Sequence, residues 1–126
     1  MEELIVWNDF AKIDIRVGTI IDAKIFAEVR NPSYKLWIDF GDLGIKKTSA
    51  QITDLYHPKN LLGKQIAAVV NFAPKQIVNF MSECLILGVV GAKKEVILLQ
   101  PGHVTKNGLR ISWRKKIINY IVSWWL

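Results

Sequence analysis

The sequence predicts an all-β domain in which five strands close into a small barrel, with one short helix between the third and fourth strands. Apolar and polar residues alternate through residues 13–25, and shorter apolar segments follow between glycine and proline turns. The chain has 126 residues, 51% of them hydrophobic, and a single cysteine. This composition excludes a disordered chain and a scaffold held together by disulfides.

The first predicted strand is the longest, and every second residue of it lies on one apolar face: Ile13, Ile15, Val17, Thr19, Ile21, Ala23 and Ile25. Gly18 inside this strand predicts a bend or a bulge at a corner of the barrel. Residues 36–40 alternate in the same way, with Trp37 on the side opposite the apolar residues. A glycine-rich turn at 41–44 then leads into a third strand at 45–51.

The second half of the chain supplies the helix and the closing strands. Residues 53–62 predict a short helix, which Pro58 divides into two turns, and Gly63 lies at its C-terminal cap. Three apolar segments predict further strands, the first two buried on both faces: 65–72, 84–90 and 95–99. A barrel with its helix at this position is typical of the OB-fold, whereas an SH3-like barrel has no helix there.

Charge is distributed unevenly along the chain, which has a net charge of +6. Residues 1–28 carry six acids and three bases, whereas residues 29–126 carry fourteen bases and five acids. A basic domain of this kind favours a polyanion as its partner, because lysine and arginine release counterions when they contact phosphates. A protein whose lysines are merely solvated fits the same numbers.

The segment 71–83 lies between two strongly apolar predicted strands, so we expect it to be the connection that flanks the ligand face of an OB-fold. Lys75 supplies a charge suited to a phosphate, and Asn71 and Ser82 supply groups that could read a base edge or a 2′-hydroxyl. Glu83 could accept a hydrogen bond from a base or hold Lys75 in place. Taken alone, the segment is more typical of an ordered loop that closes the barrel.

Several short blocks occur in a fixed order across the chain, at residues 14–20, 35–36, 48–52, 62–64, 71–75 and 82–83. Together they resemble the tRNA-binding-domain family, an OB-fold module that is attached to some methionyl- and phenylalanyl-tRNA synthetases and also occurs alone. The Ser-Ala-Gln-Ile stretch at 49–52 is most similar to the free-standing, export-related CsaA-type chaperones. The resemblance covers residues 9–112, and we expect residues 1–112 to form the domain.

The resemblance implies a homodimer that binds tRNA by its structure rather than its sequence. It implies that the binding face includes Arg30, Lys35, Ser49, Gln51, Asn71, Lys75, Ser82 and Glu83. Charge adds three lysines as phosphate contacts: Lys46, Lys47 and Lys64. Three side chains are candidates for stacking on a base or contacting a peptide: Trp37, Phe80 and Met81. Asn79 stands where the family usually has glycine, so we expect a left-handed backbone there.

Alternatives to tRNA binding remain open. The CsaA-type resemblance also implies a chaperone that holds unfolded or exported polypeptide in an apolar groove, and a third possibility is an accessory domain of methionyl-tRNA synthetase. We expect no catalysis, cofactor or metal site, because His57 and His103 are far apart in sequence and Cys84 lies on an apolar strand. A cytoplasmic location is expected, because the sequence has no signal-peptide pattern and no membrane-length apolar stretch.

The last residues, 113–126, extend beyond the end of the resemblance. Wound as a helix, this segment has one narrow polar stripe containing Lys115, Asn119 and Ser123, and the rest of its surface is apolar. Such a face must be buried, and we expect packing on the barrel or across a dimer interface. Interfacial membrane binding is the less favoured alternative, and a frame-shift extension is a third.

Overall fold

The computed structural model describes residues 3–114, and all structural statements below concern that part of the chain. Two short helices are present, α1 (Trp7–Ala11) and α2 (Pro58–Leu61), together with a 3-10 turn at Gly41–Leu43. The strands in chain order are β1 (Ile15–Ile25), β2 (Tyr34–Asp39), β3 (Ile45–Ala50), β4 (Gln65–Val69), β5 (Lys75–Ile77), β6 (Phe80–Ser82), β7 (Leu85–Ile86), β8 (Gly88–Val90) and β9 (Val96–Leu98).

Five of these strands form one antiparallel sheet in the order β3-β2-β1-β4-β7, and its two edge strands curl toward each other. The Thr48 hydroxyl, on β3, donates a hydrogen bond of 2.7 Å to the Cys84 carbonyl just before β7, which ties the two edges together. The sheet is therefore a nearly closed barrel, with α2 between β3 and β4. This confirms the predicted all-β, OB-type fold.

The barrel interior is filled by large apolar side chains from every part of the sheet. The alternation predicted for β2 is confirmed, because Leu36, Ile38 and the following Phe40 are fully buried while Trp37 lies between them on the other side. Leu61 of α2 is also fully buried and closes one end of the barrel. Removal of these surfaces from water is the main source of the fold's stability.

The alternation predicted along β1 holds for only part of the strand. A β-bulge between Ile20 and Asp22 inserts one residue, so the side that faces the core changes there. Ile20 is fully buried before the bulge, whereas Ile21, predicted on the apolar face, is 46% exposed. Gly18 is needed for close packing rather than for the bulge, because a Cβ there would lie 2.6 Å from Ile38 Cγ2.

The helix predicted over 53–62 is shorter than expected and begins at Pro58, a residue suited to the first turn because its missing N–H needs no partner there. Residues 53–55 form turns instead. Gly63 follows the helix with φ +85°, as its predicted capping position requires, and its amide donates to the Ile20 carbonyl at 2.8 Å.

Two predictions about the segments after β4 are wrong. The segment expected to be a plain connection contains a hairpin formed by β5 and β6, and the single strand predicted over 84–90 is divided into β7, which pairs with β4, and β8, which pairs with β9. The predicted burial on both faces fails at Val89 and Val90, which are 53% and 67% exposed. Hydrophobicity alone does not show where a strand changes partners.

In residues 3–114, no helix is long and apolar enough to cross a membrane. The predicted helical segment 113–126 lies outside the described residues except for Trp113 and Arg114, which have no regular secondary structure.

Candidate nucleic-acid interface

The outer surface of β1, β2 and β3 forms a basic face, defined here by Lys24, Lys35, Trp37 and Lys47. The strand register places Lys24 opposite Lys35, and Trp37 opposite Lys47. Directly opposed residues project from the same side of a sheet, so all four side chains share one side of the barrel. The alternate residues of β2 fill the core, and the basic face is therefore the side turned away from it.

Phe80, from the β5–β6 hairpin, inserts among these side chains. Its ring centroid lies 5.6 Å from that of Phe26 and 5.8 Å from that of Trp37, in edge-to-face arrangements. The Nζ atoms of Lys35 and Lys47 lie 5.3 Å and 5.2 Å from the same ring. Phe80 is only 6% exposed, so the expectation of an exposed stacking residue is wrong, and Phe80 anchors the hairpin instead.

Exposed and half-buried lysines on the basic face are oriented by aromatic rings and carboxylates. Lys24 Nζ lies 5.3 Å from the Trp37 ring centroid, a cation–π distance. Lys35 Nζ lies 3.8 Å from a Glu28 oxygen, which also accepts a hydrogen bond of 3.3 Å from Asn79 Nδ2. The Asn79 bond, with a smaller contribution from Lys35, lowers the pKa of the Glu28 carboxyl. Glu28 thereby links the β1–β2 connection to the tip of the hairpin.

A cleft of about 720 Å³ opens beside the basic face, between the β1–β2 connection and the β5–β6 hairpin. Ile77 of the hairpin and Val29 of the connection contribute to its apolar walls. Within residues 3–114, neither Arg30 nor Lys75 has a carboxylate partner. The structure brings six of the predicted site residues together in the lining of this cleft: Arg30, Ser49, Gln51, Lys75, Ser82 and Glu83.

The end of the hairpin is fastened to β3 by hydrogen bonds. The Ser49 amide donates to Ser82 Oγ at 3.1 Å, and the two hydroxyls are 3.2 Å apart. The Lys47 amide donates to Glu83 Oε1 at 2.9 Å, and the Glu83 amide donates back to the Lys47 carbonyl at 2.8 Å. Glu83 therefore braces β3, and the expectation that it holds Lys75 is wrong.

Four predicted residues do not join the cleft lining or the basic face. Asn71 is engaged by the backbone, because its Oδ1 accepts from the Asp14 amide at 2.9 Å and its Nδ2 donates to the Lys12 carbonyl at 2.7 Å. The other three residues lie elsewhere on the barrel. Lys46 pairs with Ile38, which faces the core, so Lys46 is not on the basic side of β3. Lys64 comes just before β4, on the far side of β1, and Met81 pairs with Gln76 on the outer side of the hairpin.

The left-handed backbone expected at Asn79 occurs one residue earlier, at Val78, with φ +55°. A β-branched residue is unfavourable in this conformation. The two-residue turn between Ile77 and Phe80 nevertheless needs a positive φ, and the Asn79 side chain is occupied with Glu28.

Sequence reasoning missed Lys24 and Phe26. Lys24 belongs to the polar side of β1, so alternation was a usable signal, but only the sheet order shows that it adjoins Lys35. Phe26 follows the strand directly, and its ring lies 4.7 Å from Lys35 Nζ.

Cys84 shows no sign of reactivity. It is 6% exposed, and burial raises the pKa of its thiol to about 12, an effect reinforced by Glu83 and opposed by Lys46. Among residues 3–114, no group of three or more His, Cys, Asp or Glu side chains is placed to hold a metal ion.

A barrel with a basic outer face and an adjoining cleft defines an OB-fold ligand-binding module. The chain belongs to the tRNA-binding domain family: the family model described as "Putative tRNA binding domain" matches residues 15–110. The methionine–tRNA ligase of Methanococcoides burtonii is 35% identical over 107 residues, which are 85% of this chain and 16% of the ligase. The chain thus spans about a sixth of the length of this curated relative.

Solved structures of CsaA chaperones have the same fold. The chaperone CsaA from Bacillus anthracis str. Ames is 48% identical with a TM-score of 0.84, covering 87% of this chain and 100% of that one. The CsaA chaperone protein from Picrophilus torridus is 50% identical with a TM-score of 0.81, covering 86% of this chain and 100% of that one. The resemblance noted from the short sequence blocks is therefore confirmed.

Proposed function

We propose that this chain is a non-catalytic, homodimeric module that binds tRNA by shape and charge. The observation that supports this most directly is the position of the basic face beside a cleft that holds two further cations, Arg30 and Lys75. Lysines on three neighbouring strands give several phosphate contacts along one surface, and contacts of this kind position an RNA without reading its sequence.

Neutral groups in the cleft suit the ribose and base edges of the same RNA. Gln51 is exposed there, and the Ser49–Ser82 hydroxyl pair retains lone pairs and a proton that can exchange partners. Hydroxyl and amide groups are the usual partners of a 2′-hydroxyl. Trp37 is half-buried, and its exposed side is available to stack on an unpaired base, which contributes about 1–3 kcal/mol per base in other proteins.

The family relation extends the proposal to partners and location. A module related to part of a methionine–tRNA ligase would act on tRNA in the cytoplasm, alone or in association with that synthetase. The RNA contacts expected at three other residues remain predictions: Lys46, Lys64 and Asn71. None of them lies on the basic face or in the cleft lining, so an RNA that contacts them would have to extend further round the barrel.

A second candidate function is the holding of an unfolded or exported polypeptide. The specific observation that favours it is the apolar part of the cleft, to which Val29, Ile52, Ile77 and Leu85 contribute. An extended segment with apolar side chains would bury them there. The two similar CsaA proteins of solved structure are described as chaperones, which supports this second candidate function.

Gel-shift titration with total tRNA at several salt concentrations tests the first proposal. Lys24→Glu combined with Lys75→Glu removes two exposed cations, one from the basic face and one from the cleft. We expect weaker binding and a salt dependence shallower by about 0.7–0.9 in log–log slope for each phosphate that is no longer neutralised. The matched control, Lys59→Glu with Lys93→Glu, changes net charge equally at two other exposed sites and should bind nearly as the wild type.

Equal weakening by both double variants would show that net charge alone governs binding and would refute the assigned surface. The polypeptide candidate has its own variant, Ile77→Asp, which places a charge in the cleft wall. Loss of capture of a denatured polypeptide with tRNA binding retained would favour the chaperone function. Retained capture would exclude the cleft as its site.

A further inference from the structure

An exposed aromatic side chain, that of Phe72, lies in the lining of the cleft, in the connection between β4 and β5. Phe72 is 60% exposed, in contrast to the buried Phe80 of the hairpin. Within residues 3–114, no aromatic pair and no cation–π pair includes Phe72. Rings that are free in this way are the platforms on which proteins stack unpaired bases.

The backbone on both sides of Phe72 is restrained, so its ring projects from a defined point. The Asn71 side chain accepts a hydrogen bond from the Asp14 amide and donates one to the Lys12 carbonyl. Pro74 restricts the backbone two residues after Phe72. These contacts engage the neighbours of Phe72 and leave its own side chain in the cleft. A group that is positioned in advance loses less freedom when a ligand binds.

The groups that share the cleft with Phe72 match the parts of a nucleotide. The lining is largely apolar, with contributions from side chains such as Ile77, and this suits the faces of a base. Arg30 and Lys75 are exposed cations suited to a phosphate, and the Gln51 amide offers both donors and an acceptor to a base edge. The volume of about 720 Å³ lies within the range of about 300–1,000 Å³ that is typical of small-molecule sites.

The charge of the lining favours a nucleotide over an apolar polypeptide segment. Among the described residues that line the cleft, Arg30 and Lys75 are the two cations and Glu83 is the only acid. Glu83 accepts a hydrogen bond from the Lys47 amide and forms no ion pair with either cation of the lining. A phosphate supplies the missing counter-charge, whereas an apolar polypeptide segment does not.

We propose that the cleft is a subsite for one unpaired nucleotide of the bound RNA, with its base stacked on Phe72 and its phosphate held by Lys75 and Arg30. This subsite rests on the proposed function, because the basic face beside it must hold the rest of the RNA. A base inside a helix is covered on both faces, whereas an unpaired base can turn outward and stack on an aromatic side chain. The feature recognised is therefore a junction between a helical stem on the basic face and an unpaired nucleotide in the cleft.

Binding titrations with hairpin RNAs and the full-length protein test this subsite. One hairpin has a blunt stem, and two others carry a short unpaired adenine extension at the 5′ or the 3′ end of the same stem. We expect one of the extended hairpins to bind about tenfold more tightly than the blunt one at equal salt, because stacking of a single base is sufficient for this gain. The matched control is the same extension without bases, which adds equal phosphate charge and should give much less of the gain.

Two substitutions of Phe72 separate stacking from simple apolar contact. Phe72→Leu keeps an apolar side chain but removes the aromatic face, so we expect about tenfold weaker binding of the extended hairpin and unchanged binding of the blunt one. Phe72→Trp keeps an aromatic face and should retain the preference for the extension. Because Phe72 is exposed, both variants should unfold at the same urea concentration as the wild type, which separates a loss of stacking from a loss of fold.

The possible results distinguish the subsite from the function on which it rests. Equal affinity of the wild type for extensions with and without bases would overturn the subsite and leave tRNA binding by the basic face intact. A preference that persists in Phe72→Leu would show that the base stacks elsewhere and would also overturn the assignment. Loss of polypeptide capture in Phe72→Leu, with RNA binding unchanged, would assign the ring to a polypeptide. Failure of the wild type to bind both total tRNA and the blunt hairpin would refute the proposed function itself.

Discussion

Phe80→Ala is the substitution that most directly tests how the candidate interface is built. Phe80 is 6% exposed and its ring contacts those of Phe26 and Trp37. Two lysine ammonium groups lie within 5.3 Å of the ring centroid. Truncation of Phe80 to alanine removes these ring contacts. It also leaves a cavity under the hairpin, which can close only if the hairpin moves inward.

Burial and packing give the size of the expected effect. Phe→Ala at a well-packed site costs about 3–5 kcal/mol, and the position of Phe80 on a short hairpin at the barrel surface favours the lower end of this range. We therefore expect the free energy of unfolding to fall by about 3 kcal/mol. Urea denaturation followed by tryptophan fluorescence measures it, with an unchanged m-value as the sign that the denatured state is unaffected.

Met81→Ala is the matched control, because Met81 is the next residue of the same strand but faces away from the barrel and is 38% exposed. We expect it to cost less than about 1 kcal/mol, in line with a partly exposed surface site. A Phe80→Ala variant as stable as Met81→Ala would refute the conclusion that Phe80 anchors the hairpin.

Two further predictions concern the barrel interior. Gly18→Ala places a Cβ 2.6 Å from Ile38 Cγ2 and should cost about 1–3 kcal/mol in chemical denaturation, whereas Gly102→Ala, with open space around it, should be nearly neutral. The Cys84 thiol, with its pKa raised from 9.0 to about 12, should react with a disulfide reagent at pH 8 about a thousandfold more slowly in the native protein than in urea. The contribution of the raised Cys84 pKa to the free energy of unfolding is present below pH 9 and is lost as pH rises toward 12. A free energy of unfolding that stays constant from pH 9 to 12 would contradict this pKa.

The barrel could be predicted because its signals are local. Alternation in β2, turn glycines and the proline at the start of α2 each act within a few residues, and together they indicate which segments are strands and where the helix lies along the chain. A bend or a bulge in β1 was predicted from Gly18, but its position after Ile20 could not be, because an extra residue in β1 is accommodated by its pairing with β2, which sequence periodicity does not record. Ile21 is exposed because Gly18 and Ile20 are the residues that face the core before the bulge, on the side opposite the predicted apolar face.

The candidate site was predicted less completely for a related reason. Residue type identifies a group that can bind RNA, but it does not show whether the group is already engaged. Asn71 has the chemistry to read a base, yet two backbone groups of the N-terminal segment occupy its amide. Glu83 likewise braces β3. Cleft residues such as Arg30 and Lys75 come together only because the hairpin folds back over the sheet.

The hairpin is thus the element that connects the core to the proposed function. One side of it packs Phe80 against the basic face, and Ile77 and Lys75 on the same side form a wall of the cleft. The position of Lys75 relative to Lys35 and Lys47 therefore depends on the packing of one aromatic ring. If tRNA bridges the basic face and the cleft, loss of that ring must weaken binding without any loss of charge, a result that a diffuse electrostatic attraction does not produce.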